Sequence, residues 1–236
     1  MAVSRSKAGK ERTAESITSS ISEIYQTFRV PSSLQLHMMR VAAVGSLICD
    51  NWTGPKISKE KVVALLLIHD LGNIVKFTLD SPATTALPKE ELAKIGYWRQ
   101  VKADVIARYG ADDHTATLKM AGELGASKEI LEVMDEMGIV EDGDYNPTGS
   151  NKWELEICVY SDMRVMFHGV AGSDERIKDL LTRYKGTSKE PKFKLLGEMV
   201  PALEAEISQN MSIAPSEIND ISIKPYLAEF QRLAQA

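Results

Sequence analysis

Several features of secreted and membrane proteins are missing from this sequence. It has only two cysteines, Cys49 and Cys158, both in apolar stretches, and two such thiols are typical of an intracellular protein without a disulfide framework. The longest apolar run, residues 62–68, has seven residues, whereas a membrane-spanning helix needs about 20. The N-terminal stretch carries charge but no apolar signal segment. We therefore expect a cytoplasmic protein that has no membrane partner.

Signatures of nucleic-acid and dinucleotide binding are also absent. The formal net charge is −5, and the only basic stretch is the short N-terminal tail, so nucleic acid is an unfavourable partner. Neither GxxxxGK[ST] nor GxGxxG occurs. The net charge does not exclude a local basic pocket for a phosphate.

Sustained period-2 alternation is absent as well, and helical spacing of apolar residues dominates after about residue 16. Apolar residues make up 44% of the chain and charged residues 26%, a balance that allows a substantial core. We predict an all-α fold, with a disordered tail over residues 1–15 and a single helical domain over residues 16–236. No linker is long enough to separate two domains.

Capping residues and glycines predict the helix boundaries. Asn151 followed by Glu154 resembles a capping box for a helix that contains Asp162 and continues to Gly169. Loops are expected at residues 80–88 and 138–149, with a helix from 89 to about 109 between them. The predicted helix starts are Ser32 or Ser33, Ser58, Asp112 or Asp113, and Ser127, and the predicted stops are Pro31, Gly54, Gly125 and Gly138. Two or three C-terminal helices are expected around residues 174–184, 193–208 (bent at Pro201) and 216–234.

Four polar residues occupy apolar surroundings. His69 and Asp70 directly follow the run 62–68, in what the pattern predicts to be a buried helix; the alternative is a helix that ends near Ile68 and leaves both exposed. His37 shares an apolar helical stripe with Val41, and Asp162 shares one with Cys158. A lone histidine in this position is more often a hydrogen-bonded core residue, but the charge of a buried aspartate needs a partner. Two histidines and two aspartates that face one core suit a divalent cation with nitrogen and oxygen ligands.

The order of these residues resembles that of the HD superfamily of metal-dependent phosphohydrolases. The local sequences are His37-Met-Met-Arg-Val-Ala, Leu-Leu-Ile-His69-Asp70-Leu-Gly and Tyr-Ser-Asp162-Met-Arg-Val, and His-Asp-Leu-Gly resembles the family's HD-[IL]-G variant. The resemblance covers about residues 30–170. It implies an HD-type helical bundle, here with extra C-terminal helices.

The resemblance also implies a site and an activity. His37, His69, Asp70 and Asp162 would hold one divalent ion (Mn, Fe, Co, Ni, Mg or Zn) with positions left open for water and substrate. Asp70 would also orient or deprotonate the water that attacks a nucleotide or another small phosphate ester. An alternative, from a different class, is a metal-binding regulatory or scaffold protein without turnover.

Departures from the family pattern bear on the remaining residues. Two-metal members carry further histidines between the His-Asp pair and the last aspartate, whereas this chain has only His114 there, with Asp135 and Glu136 where another would be expected. A one-metal site is therefore favoured. His114 would act as a general acid or as a hydrogen-bond donor to the phosphate. Alternatively, it is a first-turn surface residue of a helix capped by aspartates. His168 is expected to be structural.

Three further residues are candidates for binding the phosphate. Asn73 and Lys76 lie four and seven residues after His69, on its face of the predicted helix, and Asn73 stands where many family members have lysine. Arg40 lies one turn beyond His37 and would bind phosphate with its guanidinium. For each of the three, an ordinary surface or neighbouring ion pair is an equal alternative.

Overall fold

The structure is a computed structural model that describes residues 11–80, 87–141, 146–187 and 189–236. Those residues form helices and one two-stranded hairpin, which confirms the all-α prediction. The α-helices are α1 (Ala14–Ser19), α2 (Ile21–Thr27), α3 (Ser32–Asp50), α4 (Lys59–Ile68), α5 (Lys89–Leu92), α6 (Ile95–Tyr109), α7 (Asp113–Leu124), α8 (Lys128–Glu141), α9 (Trp153–Met163), α10 (Ser173–Arg183), α11 (Glu190–Gln209) and α12 (Lys224–Gln235); 3₁₀ helices cover Asn73–Lys76 and Pro215–Glu217, and strands β1 (Val165–Met166) and β2 (Gly169–Val170) pair antiparallel.

Helices α3, α4 and α9 form the centre of the molecule and contact one another. Every residue of 62–68 in α4 is buried, as expected of a helix that is apolar on all sides. In α9, residues 155–163 are all buried, Asp162 among them. One continuous cluster of buried apolar side chains extends from Ile17 to Phe230. No helix among the described residues is long and apolar enough to cross a bilayer.

Several predicted boundaries agree with the structure. The Ser58 hydroxyl accepts a hydrogen bond from the Lys61 N–H (3.2 Å) at the start of α4, and Asp112 accepts one from the Thr115 N–H (2.8 Å) at the start of α7. Helix α3 begins at Ser32, and α7 stops before Gly125. Capping chemistry therefore predicts the starts of α4 and α7, whereas α3 starts at the predicted position without a side-chain cap.

Other predicted boundaries are wrong. Helix α4 ends at Ile68, as one alternative held, and a 3₁₀ helix follows, so the helix does not continue through Asn73, yet His69 is buried and not exposed as that alternative expected. The capping box is not formed, because the Glu154 carboxylate accepts from the Ser58 N–H and pairs with Lys61, which leaves α9 without a side-chain cap. Helix α9 then ends at Met163, before Gly169, and the hairpin follows.

Three differences concern segments away from the centre. The helix predicted over 89–109 is interrupted at residues 93–94. Helix α8 continues through Gly138, where a stop was predicted, to Glu141. The end of the predicted tail, before residue 16, has regular structure. The Arg12 N–H donates to the Gly125 carbonyl (2.6 Å), and α1 starts at Ala14. The rest of the predicted tail, residues 1–10, and parts of both predicted loops, 81–86 and 142–145, lie outside the described residues.

Candidate metal centre

The structure brings four predicted side chains together at the centre of the molecule. His37 Nε2 lies 3.1 Å from Asp162 Oδ1 and 3.5 Å from Asp70 Oδ2. His69 Nε2 lies 3.7 Å from each of the same two oxygens. Ligands that bind one ion tetrahedrally at 2.0–2.2 Å are separated by about 3.4 Å from one another. The four histidine-to-carboxylate distances are close to this value. His37, His69 and Asp70 have ligand atoms that all lie within 4.8 Å of one another, and Asp162 is next to both histidines but outside that group of three.

Three separate elements supply these side chains. His37 lies in the N-terminal part of α3, His69 and Asp70 form the turn after α4, and Asp162 is the penultimate residue of α9. The hydroxyl of Tyr25 donates to the Leu67 carbonyl (2.8 Å) and braces the end of α4. The central three-helix packing therefore fixes the relative positions of the four side chains.

The orientation of His69 is fixed by the backbone. Its Nδ1 lies 2.7 Å from the Leu66 carbonyl oxygen, and because a carbonyl only accepts, Nδ1 must carry the proton. Metal-binding histidines commonly donate their second ring N–H in this way. The other nitrogen, Nε2, is thereby directed toward Asp70 and Asp162.

Two buried polar atoms at this point have no hydrogen-bond partner, His69 Nε2 and Asp162 Oδ1. His37 Nε2 is close to that oxygen, but its position does not satisfy hydrogen-bond geometry. A buried polar atom without a partner costs about 1–3 kcal/mol, so such atoms are rare in folded proteins. A divalent cation would satisfy both atoms at once, and the two-nitrogen, two-oxygen donor set fits such an ion.

The electrostatics of the four residues also suit a cation. Burial raises the pKa of Asp162, but His37 and His69 outweigh burial and hold this pKa well below its usual range. Burial lowers the pKa of His69, and the charges of Asp70 and Asp162 more than reverse this, to give a pKa of about 9. Without an ion, the ionised carboxylates therefore retain a proton on His69, and a metal would replace that proton.

Gly72 brings helix α7 against this turn. Its N–H donates to the Thr117 hydroxyl (3.0 Å), and a Cβ at position 72 would lie 2.6 Å from the Thr117 nitrogen. Only glycine permits this approach of two backbones. As a result, His114 in the first turn of α7 lines a small cavity together with His69, Asp70 and Asn73.

The ring of His114 is held on its other side by α8. It occupies the space that a side chain at Gly138 would need, and His114 Nε2 lies 3.4 Å from Asp135 Oδ1. Glu136 instead pairs with Lys152. Asp112 is the N-cap of α7, as one alternative held, yet the side chain of His114 is only 27% exposed and faces the cavity.

The other predicted residues are distributed over both sides of the centre. Asn73 lines the small cavity, whereas Lys76 forms an ion pair with Asp113. Neither follows His69 on a helical face, because the chain forms a turn and a 3₁₀ helix there. Arg40 lies on the other side, where its Nη1 donates to the Phe167 carbonyl in the hairpin (3.2 Å).

A second, larger cavity of about 710 Å³ opens beside His37 and Arg40. His168, expected to be structural, is exposed in the hairpin and lines this cavity. Two further residues of the lining, Arg176 and Arg183 of α10, were missed. They lie outside the segment that resembles the HD family, and their only signal in the sequence is a spacing of seven residues, which places both on one helical face.

No family model, curated protein or solved structure matches this chain. The resemblance to HD phosphohydrolases therefore rests on the quoted residues, and function must be argued from the geometry of the site.

Proposed function

We propose that this protein is a metal-dependent phosphohydrolase that acts on a nucleotide or another small phosphate ester. The proposal is carried by one observation, the convergence of two histidines and two aspartates with two buried atoms left unpartnered. The adjacent cavity of about 710 Å³ is in the size range of small-molecule sites. The two unpaired cysteines agree with the cytoplasmic location that forms part of the proposal.

Each residue of the site has a role that follows from its position. His37, His69, Asp70 and Asp162 hold the ion, with His69 fixed by the Leu66 carbonyl. When bound, a divalent ion polarises a phosphoryl oxygen and lowers the pKa of a water. Asp70 borders the small cavity, where its carboxylate orients a water and accepts its proton. His114 faces the same cavity and donates a proton to the phosphate.

Metal analysis combined with a substrate panel tests the proposal. Protein purified without chelator or added metal is expected to contain about one divalent ion per chain. It should release phosphate from nucleotides or generic phosphate esters in the presence of Mn, Co, Ni, Fe or Mg. Asp162→Asn should abolish both metal binding and phosphate release. Absence of phosphate release under every condition would reject the hydrolase.

The regulatory or scaffold alternative is favoured by one observation. Asn73 brings no charge to the small cavity, and the charge of Lys76 is neutralised by Asp113. Bound metal without any turnover in the same panel would support this second function.

A further inference from the structure

The larger cavity is a concentration of positive charge. Its described lining includes the guanidinium groups of Arg40, Arg176 and Arg183 and the imidazoles of His37 and His168, and it includes no aspartate or glutamate. Since the whole chain carries a net charge of −5, this distribution is local. Such a cavity attracts an anionic ligand.

Two of the arginines have unused hydrogen-bonding capacity. The Nε atoms of Arg40 and Arg176 are buried and have no hydrogen-bond partner among the described residues. No described carboxylate lies within ion-pair distance of Arg40, whose Nη1 donates only to a backbone carbonyl. Because these two Nε atoms have almost no accessible surface, a phosphate in the cavity would be bound through the terminal nitrogens of the guanidinium groups.

Helix α10 presents its two arginines in a fixed arrangement. Arg176 and Arg183 are seven residues apart, which is two turns and about 10 Å along one helical face. Asp179 between them contacts both guanidinium groups, Arg176 at 3.7 Å. One carboxylate thus orients two cations and leaves a net positive charge at the cavity.

We propose that this cavity binds a second anionic group of the substrate, distinct from the phosphate at the metal centre, through Arg40, Arg176 and Arg183. The substrate class is then a nucleotide with two or more phosphates, because the arginines supply the sites for oxygens beyond the reacting phosphate. Apolar side chains such as Met39 and Phe77 line the same cavity and suit the base or sugar. This inference rests on the proposed function for the identity of the reacting group, but the cavity can be tested alone.

Calorimetric titration of the full chain in the presence of a chelator, with ADP and adenosine as probes, isolates the arginines from the metal. We expect ADP to bind at least about tenfold more tightly than adenosine, from charge-assisted hydrogen bonds. Arg176→Gln with Arg183→Gln should reduce that ratio to less than about twofold, and each single variant should reduce it by about threefold. Circular dichroism checks folding, and the single variants keep the test valid if the double variant is unstable.

Arg232→Gln is the matched control, since Arg232 is an exposed arginine of α12 that is absent from the described cavity lining. It should retain the full ratio. A ratio near one in the wild type, or an unchanged ratio in the double variant, would overturn the proposal. Phosphate release with Mn²⁺, measured on the same preparations, reports separately on the hydrolase. An arginine-dependent preference without hydrolysis rejects only the hydrolase, and hydrolysis without the preference rejects only the second anionic site.

Discussion

His69 donates its Nδ1–H to the carbonyl oxygen of Leu66, one turn earlier in the chain, at 2.7 Å. This bond is possible because α4 ends at Ile68 and the imidazole folds back over the last turn. It directs Nε2 toward the two carboxylates. The backbone therefore selects the ligand atom before any ion arrives, which lowers the cost of organising the site.

Asp70→Ala tests whether the four residues act as one ligand set. The variant should lose bound metal and phosphate release together, while its helical circular dichroism spectrum remains, because the core does not depend on the ion. Mn²⁺ at about 100 times its dissociation constant should stabilise the wild type by about 2.7 kcal/mol and leave the variant unchanged, as measured by thermal unfolding. Asp104→Ala, which removes a carboxylate that pairs with Arg29 away from the site, is the control. Metal retained by Asp70→Ala would contradict the assignment.

His114→Gln tests the proton donor. We expect kcat to fall by roughly 10²-fold, with metal content unchanged. Gly138→Ala should produce a similar fall without removing the imidazole, since the added methyl group displaces the ring. Gly122→Ala is the control, because its Cβ would meet no atom within 4 Å. Loss of metal in His114→Gln would make His114 a metal ligand, with Asp135 as its partner for a second ion. Unchanged rates in His114→Gln and Gly138→Ala would show that His114 has only a structural role at the start of α7.

Gly72→Ala tests the close approach of α7 to the site. The methyl group would collide with the backbone of Thr117, which cannot rotate away, so we expect a loss of about 1–3 kcal/mol in the free energy of unfolding. Gly96→Ala in α6 meets open space and should stabilise by about 0.5–1 kcal/mol. Urea unfolding of both variants measures the difference, and equal effects would disprove the close approach.

Glu156→Gln tests the pH dependence of stability. Glu156 is fully buried in α9, and burial, with the charge of Glu206, raises its pKa from 4.5 to about 7. The folded protein thus favours the protonated form of Glu156. The free energy of unfolding is therefore highest below about pH 4.5, where this carboxyl is protonated in both states, and it falls as the pH rises through 7. Thermal unfolding at pH 8 should show Glu156→Gln to be more stable than the wild type by up to about 3 kcal/mol, with the difference vanishing near pH 4.5. Exposed Glu198→Gln should show no such change, and a pH-independent difference for Glu156→Gln would refute the raised pKa.

Local chemistry explains which parts of the fold could be predicted from the sequence. Ser58 and Asp112 cap helices through contacts with residues three positions away, and the run 62–68 is apolar on all sides, so each signal is contained in a short segment. The prediction at Gly138 was wrong because its reason is distant. A glycine inside α8 makes room for His114, 24 positions earlier in the chain. Glu154 failed as a capping residue for the same kind of reason, since Ser58 and Lys61 occupy its carboxylate.

The residues of the candidate site also fall into a group that the sequence could predict and a group that it could not. His37, His69, Asp70 and Asp162 were found because polar groups in apolar stripes are conspicuous and their order resembles a known family. Arg176 and Arg183 lie on an amphipathic helix where arginines are ordinary, and only the structure shows that they line a cavity together with residues of α3 and the hairpin. A helix end near Ile68 was an alternative only with an exposed His69, and the combination of that end with a buried imidazole was not predicted, because Leu71 continues the apolar pattern after the helix has ended.

The burial of α9 has a consequence for hydrogen exchange. With residues 155–163 enclosed on all sides, the backbone amides around Asp162 should exchange with solvent only when the whole molecule unfolds. Only three of the eleven residues of helix α10 are buried, so its amides should exchange through smaller openings that leave the centre intact. A ligand held by Arg176 and Arg183 would then slow exchange in both α10 and α9, since global unfolding also releases it, whereas an ion held by Asp162 would slow exchange in α9 and leave the smaller openings of α10 unchanged.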